Sequence, residues 1–436
     1  MTTRVLFMNR SYWPDAEATG QFLTELCEDL AATGEFDVHV LCGRPNHVAA
    51  EIDAETAQAT TRHGVTIHRV AHTRFAKRSL IGKLSNLTSF TAAAWWNSSR
   101  VPRPDIVVTE TDPFFLGLLG RRLQKKLKCR FVAYLQDLYP DIAVACGMIR
   151  EGAVVRTWRK ALFGAYSRAD RVVVLSRDMK ERCVEHGVPE SRLTIIPNWA
   201  DTDGIRPIHE GNEFRAAQNL GGRFVVMYSG NTGTPHLLTP ILDAAEQLKS
   251  REEIVFLFVG GGVQKEPLEA EASRRGLSNV RFLPYQPKEQ LAHSLSAADV
   301  QIVSVKPGAI ACLMPSKLYG ILAAGCSVLA IAPEGSELAD VVRDNAVGEV
   351  CDPAMEGGLG PAIAESLSRL LDREGLRTRS SRARALAEAQ YSRSTQVEKF
   401  RRMLLEVAGA SAIEPPDSKS SSPSLVVDRK LVGNRH

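Results

Sequence analysis

Short apolar runs, many of them β-branched, alternate with amphipathic stretches along nearly the whole chain. Residues 5–8, 38–41, 106–109, 131–134 and 171–175 are such runs. They predict buried parallel strands, since a strand covered on both faces carries apolar side chains on both. Between the first two runs, Phe22, Leu23, Leu26 and Leu30 share one helical face, which predicts a helix over 20–33. The series ends at Ile195-Ile196-Pro197-Asn198-Trp199-Ala200-Asp201, and Pro207 and Gly211 follow in a polar link. A second series then begins, with strands expected at 224–229, 254–259, 280–283, 300–305, 327–332 and 349–351. Two consecutive βα series predict an α/β protein of two Rossmann-like, doubly wound domains facing across a cleft, over residues 1–207 and 208–385. A helical pattern over 380–407 is long enough to return to the first domain, so 386–410 is read as that connection. The serine- and proline-rich residues 411–436 have no apolar period and are expected to be disordered.

Composition narrows the class without fixing it. At 436 residues the chain exceeds one ordinary core, and 44% hydrophobic with 24% charged residues is a globular balance. A net charge of +4 is too small to argue for nucleic acid, and none is expected as a partner. Charge placement says more. From 61 to 104 there is no Asp or Glu, while Arg62, Arg69, Arg74, Lys77, Arg78, Lys83, Arg100 and Arg103 all fall there. The interleaved Phe75, Phe90, Trp95 and Trp96 make residues 62–104 a candidate for an anionic membrane surface. An amphipathic helix packed on the sheet is the equally weighted alternative. The eight cysteines show no Cys-x-x-Cys pair and read as reduced cytoplasmic thiols. The strand pattern starts within the first ten residues or so, against a signal peptide, and no apolar run approaches the ~18 residues that span a bilayer.

Candidate chemistry gathers at strand ends. The segment Met314-Pro315-Ser316-Lys317-Leu318 predicts a helix start, with proline at its first position, running to Gly325. Free first-turn amides, the helix dipole and Lys317 together make an anion site. Upstream, Tyr228-Ser229-Gly230-Asn231-Thr232-Gly233 places glycines after a buried strand, where backbone can approach a phosphate. In Gly260-Gly261-Gly262 the third position of a dinucleotide fingerprint falls on Lys265, so a nicotinamide site is not read there. The expected anion is the diphosphate of a sugar nucleotide.

In these residues the chain resembles the retaining glycosyltransferases of family 4, which adopt the GT-B fold. The resemblance rests on Gly230-Asn231, on Phe282-Leu283-Pro284-Tyr285 ahead of an Ala-Ala-Asp strand, and on Pro-Ser-Lys-Leu-Tyr-Gly with Ala-Ala-Gly. In the first half it rests on Arg168-Ala169-Asp170, Gly187-Val188 and Ile196-Pro197-Asn198-Trp199. Leu135-Gln136-Asp137-Leu138-Tyr139-Pro140-Asp141 points to the subgroup of colanic-acid and O-antigen transferases. The resemblance implies that Gly230 and Asn231 approach the donor diphosphate, that Ser316, Lys317 and Leu318 complete its cradle, and that Met314 and Pro315 belong to the donor site. Gly233, His236, Gly260 and Cys312 would line the donor site, and Pro284 and Tyr285 would meet the base. Gln136 and Asp137 would contact the donor sugar or hold the acceptor hydroxyl, acting with Lys317 as the catalytic set. The acceptor side would use Tyr12, Trp13, Asp15, Thr19, Gly20, Asp112, Tyr139 and Asp141.

The implied reaction is metal-independent transfer with retention, from a UDP- or GDP-sugar to a glycan or polyprenyl-diphosphate-linked acceptor. That would serve surface polysaccharide assembly at the inner face of the plasma membrane. No cofactor is implied. Two departures stand out: the family's paired glutamates fall on Cys312 and Gly320, and its usual arginine falls on Asn231. Two other readings are a UDP-sugar 2-epimerase, for which His236 and Asp137 are a thin set, and a non-catalytic partner of another transferase.

Overall fold

The computed structural model describes residues 2–15, 17–45, 59–73, 75, 80–208 and 210–409. Two sheets organise them. In the first, β1 (Thr3–Met8), β2 (Phe36–Gly43), β3 (Thr60–Arg62), β4 (Val65–Val70), β5 (Ile106–Thr109), β6 (Arg130–Tyr134), β7 (Arg171–Val174) and β8 (Leu193–Ile195) lie in the order β3-β4-β2-β1-β5-β6-β7-β8. All pair in parallel except β3 with β4. In the second, β9 (Phe224–Asn231), β10 (Ile254–Gly261), β11 (Val280–Leu283), β12 (Val300–Ser304), β13 (Ser327–Ile331) and β14 (Gly348–Cys351) form an all-parallel sheet, β11-β10-β9-β12-β13-β14. Both orders reverse beside the first strand of the sheet, and such a reversal opens a crevice at the carboxyl ends of the strands.

Three strands were absent from the apolar pattern. β3 and β4 form a hairpin whose turn, His63-Gly64, has φ of 45° and 79°. Positive φ at both positions matches the twist of a tight hairpin, but neither strand is an apolar run. β8 is a half-buried edge strand of three residues. Conversely, β9 and β10 extend into the glycines expected as turns.

The pattern over 380–407 also resolves differently. It is two helices, Arg373–Gln390 and Arg393–Ala408, broken at Tyr391-Ser392, where the Ser392 hydroxyl caps the second at the amide of Thr395. A serine at an N-cap starts a new helix more readily than it continues an old one. The second helix buries Phe400 against Tyr134 of β6, with ring centroids 5.0 Å apart, and pairs Arg393 with Asp29 at 2.7 Å and Arg401 with Glu35 at 2.7 Å. It is therefore fastened to the first sheet's layer. No helix among the described residues is long and apolar enough to cross a membrane.

The basic window divides. Arg74, Lys77, Arg78 and the tail 411–436 lie outside the described residues. Arg62 pairs with Glu28 and sits 4.6 Å over the Trp13 ring, and Arg69 donates to the Trp13 carbonyl at 2.5 Å. These two cations hold the N-terminal loop rather than facing outward, correcting that part of the expectation. The helix Leu80–Asn97 buries Phe90 and Ala94 on the sheet and leaves Trp96 72% exposed. Arg122 lies 4.6 Å over the Trp95 ring.

Candidate active site

The donor-side rim is built from bare backbone. β9 and β10 stay in register to Gly230–Gly260 and Asn231–Gly261. Gly230, Gly260 and Gly262 have φ of 120°, 133° and 136°, which L side chains rarely adopt. A Cβ on Gly260 would stand 2.2 Å from the Gly230 carbonyl oxygen, and one on Gly262 2.4 Å from Asn231 Oδ1. The rim closes this tightly because neither position carries a side chain. The place a Cβ would take on Gly230 is 3.7 Å from Lys317 Cε and 3.9 Å from its Nζ.

Lys317 thus meets Gly230 across the end of the sheet. Its ammonium lies 3.8 Å from the Tyr228 ring centroid and donates to the Tyr228 hydroxyl, which donates to the Asn231 carbonyl at 2.8 Å. Burial with no carboxylate at hand pulls Lys317 down to about 7. His236 donates from Nδ1 to the Ser304 carbonyl, and burial beside Lys317 and Lys306 lowers it to about 3. Its imidazole is neutral, and Nε2 keeps a lone pair that can accept from a hydroxyl.

The helix after this segment runs Lys317–Ala323, with Ser316 at its N-cap making no side-chain cap bond. Leu318 donates its amide back to the Pro315 carbonyl at 3.1 Å, so the amides of Ser316 and Lys317 are the ones not used in the turn. The side chains of Cys312, Met314, Pro315 and Leu318 are buried in the core, against their expected place in the donor lining. Burial pushes the Cys312 thiol up to about 12, and the Cys312 carbonyl is taken by the Leu138 amide at 2.8 Å. Gly233 packs beside Asn231, its Cβ position 3.3 Å from Nδ2. Tyr285 is 60% exposed and donates to the Gly261 carbonyl at 3.2 Å, next to Pro284 at the end of β11. An open aromatic ring there is free to face a base.

The first domain reaches this rim through the segment after β6. Asp137 pairs antiparallel with Leu313, so the two domains touch beside Lys317. Asp137 is raised to about 6, by burial and then by the neighbouring charge of Asp112. Gln136 points the other way. Its amide donates to Glu110 Oε1 at 3.4 Å and accepts from Asn198 at 2.9 Å, so both its ends are held inside the domain rather than in the cleft. The alternation of side chains along an extended segment sends neighbours to opposite faces.

Asp141 does not face an acceptor either. Its carboxylate takes Arg159 Nε at 2.5 Å, Arg182 Nε at 2.8 Å and His186 Nε2 at 2.6 Å, and these partners hold it well below the usual carboxylate range. Tyr12 is buried in the core at 1% exposure, and Gly20 lets the helix Ala18–Ala32 press on Ser11, its Cβ position 3.2 Å away. These three positions are structural. Trp13, Asp15, Thr19 and Tyr139 are half-buried, with the Tyr139 ring stacked on Phe114 at 4.8 Å. Asp112 is forked by Arg10, with contacts of 3.1 and 2.9 Å, and accepts from the Ser11 hydroxyl at 3.0 Å.

Several residues of the site were not singled out beforehand. Lys306 lies two residues past β12, and its charge acts on both His236 and Cys146, which lie on opposite sides of the cleft. Its place at a strand's carboxyl end was the available signal. Tyr228 stood at the head of the candidate glycine segment, but the seat its ring gives Lys317 was not read there. Glu110, just after β5, is 2% exposed, and burial raises its carboxyl well above the usual range. The chain also holds one Asp-x-Asp, Asp201-Thr202-Asp203, in the link between the sheets. Asp201 Oδ1 accepts from the amides of Asp203 and Gly204 at 3.2 and 2.9 Å, closing a turn.

Comparison with known proteins agrees with this architecture. Residues 18–199 match the glycosyl transferase 4-like domain and residues 211–386 the glycosyl transferases group 1 domain. The chain is 26% identical over 379 residues to a protein of Escherichia coli (strain K12) named as a colanic acid biosynthesis glycosyl transferase, WcaI, covering 84% of this chain and 90% of the relative. It is 28% identical over 305 residues to WbjE of Pseudomonas aeruginosa, named as a probable glycosyltransferase, covering 70% and 75%. Among solved structures, Anabaena Alr3699/HepE in complex with UDP and glucose superposes with a TM-score of 0.69 at 15% identity, over 93% of this chain and 100% of that one. WaaG, a glycosyltransferase involved in lipopolysaccharide biosynthesis, superposes with a TM-score of 0.68 at 17% identity, over 92% and 99%. The chain belongs to the group 1 glycosyltransferases of family 4, in the subgroup of the colanic-acid and O-antigen enzymes, and has the GT-B fold.

Proposed function

We propose that this enzyme transfers a sugar from a UDP- or GDP-sugar to a glycan or polyprenyl-diphosphate-linked acceptor in surface polysaccharide assembly, with retention and without a metal. The observation that carries the reading is Lys317, a desolvated cation held on Tyr228 at the bare backbone of Gly230. A donor diphosphate there replaces the water the ammonium lacks and returns the lysine to its charged form.

As the anomeric carbon–oxygen bond breaks, negative charge grows on the leaving phosphate. Lys317 and the unused amides of Ser316 and Lys317 are aimed at that charge. The acceptor oxygen attacks the same face, and its proton passes to the leaving phosphate oxygen. Asp137, across the cleft, orients the acceptor hydroxyl, and neutral His236 accepts from a sugar hydroxyl. The names of the relatives, one for colanic acid and one for lipopolysaccharide, support a polysaccharide product. The exposed Trp96 and the cations over Trp95 suit an anionic bilayer, which would hold the enzyme on the cytoplasmic face beside a lipid-linked acceptor.

A panel of UDP- and GDP-sugars with a polyprenyl-diphosphate sugar tests this. Release of nucleoside diphosphate together with a product of unchanged anomeric configuration by NMR is expected. An inverted product, or no release from any donor, overturns it.

A further inference from the structure

A separate cavity lies at the other end of the second sheet. It has a volume of about 1050 Å³ and is walled by the residues leading into β9, β12 and β13, among them Phe224, Asp299 and Ser327. Those are amino ends of strands, whereas the donor rim is at the carboxyl ends. The remaining walls are the interdomain link at Pro207-Ile208 and the helix Arg373–Gln390. Link and helix touch through Gly325, where a Cβ would stand 2.8 Å from Pro207 and 3.0 Å from Ser380 Oγ.

Charge in this cavity is unbalanced. Its acids are already engaged: Glu253 with Arg251 at 2.6 Å, Glu388 with Arg384 at 2.6 Å, and Asp299 with the Val225 amide at 2.7 Å and Arg215 at 3.4 Å. Among the described residues, Arg223 and Arg377 have no carboxylate partner, and Arg373 donates only to the Gly222 carbonyl, at 3.4 Å. These three guanidinium groups come from two separate segments and line one concave space with no carboxylate among the described residues to balance them. Guanidinium forks suit phosphate oxygens. The wall beside them is open backbone, since a Cβ on Gly221 or Gly222 would meet nothing within 4 Å. The hydroxyls of Ser380 and Ser381 also line the cavity and are free to donate.

We propose that this cavity binds a soluble, multiply charged phosphate compound through Arg223, Arg373 and Arg377, as a second anion site separate from the donor site. Its walls include the link and the helix that joins the second domain to the first, so an occupant braces the domain connection. The site needs nothing from the donor reading and stands or falls separately.

Tripolyphosphate is the probe, titrated calorimetrically into the full chain at low salt. The Lys317→Ala variant, which lacks the donor-side cation, is expected to retain one saturable site. Arg223→Glu/Arg377→Glu in that background is expected to weaken it at least about tenfold, and Arg223→Gln/Arg377→Gln by less, with unchanged melting temperatures because both arginines are exposed. Raising salt to about 0.3 M should weaken binding further, as screening demands. Loss of all saturable binding in Lys317→Ala overturns the proposal, and so does equal affinity in the reversed-charge variant.

Discussion

The two strand-end rims that face each other are built from opposite materials. On the second sheet there are glycines, backbone amides and two lysines, and among the described residues no carboxylate pairs with Lys317. On the first sheet there are four acids within a short span of structure, each in a different state. Glu110 is buried and pushed well above the usual carboxyl range, Asp112 is forked by Arg10, Asp137 is raised to about 6, and Asp141 is locked in an ion cluster. The difference shows how each side meets its ligand. A rim of desolvated cation and amide waits for negative charge and gains when it arrives. A rim of acids meets neutral hydroxyls, and only Asp137 among them stands at the domain contact in a titratable state.

The sharpest way to break this contrast is to remove the cation. Lys317→Met keeps the stem over Tyr228 and deletes the charge. Turnover is expected to fall about 10²–10³-fold, the usual effect of losing one group that stabilises a leaving oxyanion. Stability should move the other way. The folded state lowers Lys317 from 10.5 to about 7, so near neutral pH the unfolded chain holds more protons, and burying the lysine costs on the order of a few kcal/mol. Urea unfolding at pH 7 should therefore show Lys317→Met to be more stable than the wild type. A variant less stable and still active would erase the distinction between the rims.

The second sheet and its rim were the more legible part of the chain. Its strands are apolar runs, and its anion features are local: glycines at the end of a strand, and a lysine directly after Pro-Ser. The first rim was harder to read because its acids are sorted by residues far away in sequence. Asp137 and Asp141 are four positions apart and look equivalent, yet Asp141 is claimed by Arg159, Arg182 and His186 from two later helices. Gln136 was read as facing the cleft, and only its contacts with Glu110 and Asn198 reveal that it turns inward. The hairpin of β3 and β4 escaped because its buried positions alternate or are few, and the break at Tyr391 escaped because the flanking helical periods nearly run together.

Asp141 gives the next largest effect, and on stability alone. Removing it leaves Arg159, Arg182 and His186 gathered without their shared acid, so Asp141→Ala is expected to cost about 3 kcal/mol in urea unfolding. Its folded pKa is depressed, so its contribution is present above the unfolded value near 3.8 and is lost as pH falls below it. Between pH 4 and 2 the wild type should lose melting temperature more steeply than Asp141→Asn. Parallel curves would mean that the acid serves the cleft after all.

A smaller effect separates the rims by protons. If a diphosphate recharges Lys317, donor binding above pH 7 takes up to about one proton. Affinity for UDP should then fall as pH rises from 7 to 8.5, by roughly tenfold. Calorimetry in buffers of different ionisation enthalpy counts the proton directly, and Lys317→Met should abolish the uptake. An uptake that survives in Lys317→Met would assign it to another group and remove the lysine from the diphosphate site.

The finest test lies with Glu110, the acid that belongs to neither ligand. Its Oε1 accepts from Gln136, its Oε2 has no partner among the described residues, and no Arg or Lys pairs with it among the described residues. Burial favours the protonated form of a carboxyl so placed, because ionising it would bury a bare charge. Glu110→Gln then replaces one neutral group by another of nearly equal shape. Activity should stay within about threefold and stability within ~0.5 kcal/mol. A general acid or base at this position would instead cost roughly 10²-fold or more. Such a loss would place a working carboxyl on the first rim beside Asp137 and would count against the direct passage of the acceptor proton to the leaving phosphate.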